Sequence, residues 1–197
     1  MIVRKVTNWL KDPEFVEDVR VYTKTLALCL SIRFLIVEPR YIPSVAMVPT
    51  FEIGDQLAVE KVTKRTRPLV SKDPYPIHRN EVVVFHPPQA FKDLVASKRD
   101  EALIKRVVAV AGDEVEVKDG ILYVNGLPQS EDNIINERPR YDFPSIVVPP
   151  GQLFVLGDNR NQSLDSHVWG FLPVDTVIGR AVIKYWPPSR VGLVEAP

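Results

Sequence analysis

The sequence predicts a mainly β protein behind a single N-terminal helix, and three observations lead there. Beyond residue 38 the apolar residues come in short runs, several alternating with polar ones, which is the spacing of strands. Eighteen prolines are scattered along the chain, and each fixes φ and removes a backbone donor, so long helices are disfavoured. The densest apolar stretch, Val21 to Val37, lies ahead of all these runs.

That stretch would be roughly 25 Å long as a helix, barely enough to cross hydrocarbon. Lys24 and Arg33 interrupt it, and Leu26 to Val37 is its dense part. A core or interfacial helix is one reading and a membrane anchor the other. Arg4, Lys5, Lys11, Arg20 and Lys24 precede the dense part, which would hold the N-terminus on the cytoplasmic side. A cleaved signal peptide fits less well, because Glu38-Pro39-Arg40-Tyr41 follows instead of a small-residue cleavage site. The expected division is therefore a tail and anchor over 1–38 and a β-rich body over 39–197 outside the membrane, at the plasma membrane or the thylakoid.

Within the body, strands are expected at Gln56–Val62, Glu81–Phe85, Leu103–Ala111, Asp113–Lys118, Ile121–Val124, Ile146–Val148 and Gln152–Leu156. Asp119-Gly120 supplies the positive φ values of a tight hairpin, and Asn125-Gly126 repeats the signal. Lys64–Arg79 and Phe91–Asp100 read as surface excursions, rich in proline and basic residues or in polar ones.

Lys plus Arg and Asp plus Glu both number 25, a balance that argues against a general nucleic-acid binder. Cys29 is the only cysteine, and no Cys/His cluster has the spacing of a zinc site, so neither an internal disulfide nor a metal is expected.

Three segments carry the candidate chemistry. Ile42-Pro43-Ser44-Val45-Ala46-Met47-Val48-Pro49-Thr50 is an extended loop stiffened by two prolines, either a positioned functional loop or an ordinary connection. In Ile104 to Asp113, Lys105 stands at the start of an apolar run in which every neighbour but Arg106 is aliphatic. Alternation puts Lys105 on the face of Val107 and Ala109 and Arg106 on the other, so one cation faces the apolar side. Burial disfavours the ammonium form, and a desolvated lysine can accept a proton near neutral pH. The plainer alternative is a lysine snorkelling from a strand end. The third segment, Gly157 to Gly170, is a dense polar loop after an apolar strand, able to cap itself or to hold the lysine.

In this order the three segments resemble the signature boxes of type I signal peptidases: SxSMxPT, KR(x)nGD and GDNRxxSxDSRxWG. The resemblance runs from about Val21 to Trp186 and includes the strand Arg79–Phe85, with Asn80-Glu81 where members have Gly-Asp. The ending GRAVIKYWPPSRV and the form DSHVWG look like the cyanobacterial and chloroplast branch. The family implies two coiled antiparallel sheets on an N-terminal anchor, a Ser-Lys mechanism without metal or cofactor, and preprotein signal peptides and the lipid bilayer as partners. By position, Lys105 matches the general base and Ser44 the oxyanion-hole hydroxyl, with the N–H of residue 46 as the second donor. Ser163 matches the hydroxyl that orients the lysine amine, and Asp165 the carboxylate that buttresses the loop. Ile42, Met47, Phe51 and Ile104 match the lining of pockets for small side chains, although isolated apolar residues also serve as core.

One departure is severe. Ala46 occupies the nucleophile's place, and a methyl group cannot attack a carbonyl. Either a serine has been replaced, or the chain is a natural homologue that binds signal peptides without cutting. Retention of Lys105, Ser44, Ser163 and Asp165 favours the first, since a buried lysine is costly to keep without use. A lesser departure, His167 where many members have arginine, reads as a surface substitute or as a pH-sensitive partner for Asp165. A LexA-like repressor would begin with a helical DNA-binding domain, where this chain has an apolar segment.

Overall fold

The computed structural model describes residues 12–62, 77–95, 101–131 and 133–194. Helix α1, Pro13–Leu35, starts where Asp12 accepts a hydrogen bond from the Glu14 N–H at 3.1 Å, with proline at its first position. Its apolar side chains Tyr22, Leu26, Leu28 and Ile32 are exposed rather than packed on the body.

The rest is mainly β, as expected. The strands are β1 Val37–Tyr41, β2 Gln56–Glu60, β3 Val82–Phe85, β4 Leu103–Val110, β5 Glu114–Lys118, β6 Ile121–Val124, β7 Leu127–Pro128, β8 Phe143–Val147, β9 Gln152–Leu156, β10 Leu172–Pro173, β11 Val177–Trp186 and β12 Gly192–Leu193. Two short helices, α2 Gln89–Leu94 and α3 Ser166–Trp169, sit between them. The larger antiparallel sheet runs β1-β2-β11-β3-β4-β9-β10, with β12 on β11, and the smaller runs β7-β6-β5-β8.

Every strand expected from the sequence is present within a few residues of its predicted bounds. Asp119 and Gly120 adopt φ of 51° and 73° between β5 and β6, and Asn125 and Gly126 adopt 54° and 74° between β6 and β7. Both are the left-handed pairs that tight hairpins require. The excursion at Phe91–Asp100 starts inside α2, while residues 64–76 and 96–100 of the two expected excursions lie outside the described residues. The division at residue 38 falls inside β1, which pairs along its full length with β2.

Three apolar clusters hold the body together. One covers a face of the larger sheet with Val83, Phe85, Val107, Val155 and Leu172, closed by Trp169 of α3. A second fills the space between the sheets with Val108, Ala109, Phe154 and Leu156 against Val115, Val117, Leu122 and Val124. The third joins Ile42, Met47 and Phe51 to Leu57, Val82 and Ala181.

Two expectations need correction. Lys105 and Val107 share a face, but a register shift between Val107 and Ala109 opposite β9 turns Ala109 into the other cluster. Nor is α1 shown as a membrane-spanning helix. No helix among the described residues is long and apolar enough to cross a bilayer. Glu14, Glu17, Asp18, Arg20, Lys24 and Arg33 all lie within α1, which leaves too short an uncharged run.

Candidate active site

The site is assembled where the end of β9 meets the start of β4 and the loop after β1. Lys105 lies opposite Val83 in β3, and Arg106 lies opposite both Val82 and Leu156. Continuing that register one step places Gly157, the residue after β9, opposite Lys105. Both cations are buried, but they are treated differently. Arg106 forms a forked pair with Asp158, Nε to Oδ1 and Nη2 to Oδ2 both at 2.8 Å, and donates to the Asn80 carbonyl. Lys105 is ion-paired to no carboxylate among the described residues. Burial lowers its pKa below the ordinary lysine value, and the more distant charges of Asp165 and Asp158 only partly oppose this. The lysine that faces the apolar side is thus the one poised to lose its proton.

Residue 46 is carried by a short 3-10 turn, Val45–Met47, which begins after the extended Ser44. The turn packs against β4 and against a second 3-10 turn, Arg160–Gln162. The Ala46 carbonyl accepts from the Asn159 N–H at 3.1 Å, and Asn159 Nδ2 donates to the Val45 carbonyl at 3.2 Å, so the polar loop clamps the turn from its acceptor side. The Ala46 N–H belongs to the first turn of a helix, where no intrahelical acceptor exists. Ser44 is exposed beside it and makes no capping hydrogen bond.

Asp165, fully buried, accepts the Gly157 N–H at 2.9 Å, caps α3 by accepting the His167 N–H, and lies 2.5 Å from His167 Nδ1. The Ser163 hydroxyl differs from expectation: its Oγ is buried and has no hydrogen-bond partner among the described residues, so the contact that would orient Lys105 is not made. Ile42, Met47 and Phe51 are almost wholly buried in the third cluster, with Ile104 packed on its margin. Cavities of about 440 Å³ beside Gly120 and Glu131 and about 310 Å³ beside Phe51 and Lys184 are lined by neither Lys105 nor residue 46.

Sequence reasoning passed over Gly157. A Cβ there would lie 2.2 Å from Ser163 Oγ and 2.5 Å from the Ala46 carbonyl oxygen. Its glycine is a matter of contact, not of backbone angle. Arg160 was missed as well: fully buried, it forks onto Glu131, with Nη1 to Oε2 at 2.7 Å, and donates Nε to the Gly157 carbonyl at 3.1 Å.

Comparison with known proteins settles the family. Residues 15–186 match the model described as signal peptidase, peptidase S26. The chain belongs to the signal peptidase family. It is 45% identical over 176 residues to a probable signal peptidase I-1 of Synechocystis, covering 89% of this chain and 85% of that one. It is 40% identical over 186 residues to a signal peptidase I of Leptolyngbya laminosa, covering 94% and 87%. Over 178 residues it is 40% identical to the thylakoidal processing peptidase 1 of Arabidopsis thaliana, covering 89% of this chain but 49% of the plant protein. These relatives fall in the cyanobacterial and chloroplast branch. A crystal structure of a signal peptidase I from Enterococcus faecalis covers 53% of this chain and 96% of that one, at 30% identity and a TM-score of 0.43.

Proposed function

We propose that this chain has the architecture of a Ser-Lys signal peptidase I with its nucleophile missing, so that it engages preprotein signal peptides without cutting them. The observation that carries the reading is the buried Lys105, lowered in pKa and left unpaired, beside a turn whose second residue is Ala46. With serine at position 46, Lys105 Nζ would take the hydroxyl proton as Oγ attacks the scissile carbonyl. Ser44 Oγ and the N–H of residue 46 would donate to the developing oxyanion, a contribution often of about 3 kcal/mol per donor. Asp165 supports the lysine by bracing the Gly157 loop beside it, and Ser163 would join only with its hydroxyl turned toward Nζ. Ile42, Met47, Phe51 and Ile104 form the apolar floor under the small residues that precede the cut. No metal or cofactor has a part in this chemistry.

The exposed apolar side chains of α1, with Tyr41, Trp186, Val191 and Leu193 on the body, support attachment to a bilayer, and the basic residues from Arg4 to Lys24 favour a cytoplasmic N-terminus. A second reading, a naturally noncatalytic signal-peptide receptor, rests on the same Ala46. The test is incubation of a preprotein in detergent with this chain and with Ala46→Ser, followed by N-terminal sequencing of the product. The enzyme reading expects a cut after a small residue by the variant alone. A folded variant that binds signal peptide yet leaves it intact overturns it in favour of the receptor.

A further inference from the structure

His167 is a titratable group in the support of Lys105 that the reaction as described does not use. Its Nδ1 is 2.5 Å from Asp165 Oδ1, where a carboxylate oxygen can only accept, so the imidazole donates. Its side chain keeps 17% of its surface exposed while Asp165 keeps none, which makes the imidazole the solvent-facing end of a buried charge. Tyr141 stacks on the ring, with centroids 4.0 Å apart and planes 8° from parallel, and fixes its orientation. The other charged groups around this cluster are few. Arg160 and Glu131 act on Tyr141, and Asp158 shares with Asp165 the field felt by Lys105. Burial, reinforced by Asp165, pushes the Tyr141 hydroxyl above its ordinary value, so it stays neutral.

We propose that His167 is a positioning residue that sets the charge of Lys105 through Asp165: when the imidazole is protonated, it cancels the carboxylate's field and frees the lysine amine at lower pH. The proposal rests on reading Lys105 as the base. The sign follows from the geometry. An unopposed Asp165 anion favours the ammonium form of Lys105, whereas an Asp165–imidazolium pair is neutral when seen from β4. A fixed cation at position 167 would hold the lysine in one setting instead.

The test needs no catalysis. The Nζ resonance of Lys105 in the present chain, isotope-labelled on lysine and assigned with Lys105→Met, is titrated by NMR alongside the His167 ring. The Lys105 curve is expected to show a second inflection at the His167 midpoint. His167→Asn is expected to remove the inflection and leave the Lys105 midpoint in place, and His167→Arg to remove the inflection and lower the midpoint. A purely structural role would move both variants the same way or not at all, and either result overturns the proposal. Should both variants fail to fold, a Lys105 curve in the unaltered chain without that inflection is equally fatal. Because the readout is the proton on Lys105, a failure of Ala46→Ser to cut preprotein would sink the proposed function and leave this inference standing.

Discussion

Gly157 shows how closely the parts of the site are fitted. The place of its missing Cβ is taken by Ser163 Oγ and the Ala46 carbonyl oxygen, one a side chain and the other backbone that cannot turn away. Gly157→Ala in the Ala46→Ser background is expected to lower kcat/KM for a signal-peptide substrate by about 100-fold, since displacing reacting groups by an ångström costs that much. Circular dichroism should still report a folded β protein, and activity within threefold of the parent would contradict the fit. Lys105 stood out in the sequence as a cation in an apolar run, and Ala46 through the resemblance of its loop to the family's serine box. Gly157 did not: a missing side chain carries meaning only once its neighbours are in place. Asp165 was read as a buttress, but not that the Gly157 N–H is what it holds.

At the scale of elements, β4 carries two adjacent buried cations to opposite faces, and among the described residues only Arg106 is answered by a carboxylate. The loop after β9 supplies Asp158 to Arg106, with both side chains almost wholly buried. Removing the carboxylate would leave an uncompensated guanidinium in the core. Asp158→Ala is therefore expected to destabilise the protein by about 3–5 kcal/mol in urea denaturation. A loss below about 1 kcal/mol would mean that water reaches Arg106. Strands were legible where alternation was regular, as in β5 and β6. The longest strand, β11, escaped notice although it lies centrally in the larger sheet. Two register shifts against β2 break its alternation, and Gly179 interrupts its apolar run. That glycine lets the Glu60 carbonyl pass where a Cβ would lie 2.1 Å away. Strand β1 was hidden by Pro39 and its charged neighbours, and is recognisable only through its pairing with β2.

For the whole molecule, keeping Lys105 buried costs stability that activity alone would justify. Its pKa is lowered in the folded state, so between that value and about 10.5 the unfolded chain binds more protons, and stability rises with pH through this window. Lys105→Met is expected to be more stable at neutral pH by about 1–3 kcal/mol and to lack that rise, measured as urea midpoints from pH 6 to 10. Equal stability and an unchanged slope would show that the amine is solvated. The family and the order of its three boxes were legible across the chain, because those boxes are contiguous strings. The proposed membrane attachment draws on opposing signals, the charges within α1 and its exposed apolar side chains. The proposed Ser-Lys site lacks the hydroxyl oxygen of a serine at position 46. It is tested most directly by the initial rate of preprotein cleavage by this chain, by Ala46→Ser, and by Ala46→Ser combined with Lys105→Met. A rise of about 10⁴-fold or more on restoring the hydroxyl, abolished by Lys105→Met, is the predicted result. Cleavage that persists without the lysine, or that never appears although signal peptide binds, would contradict it.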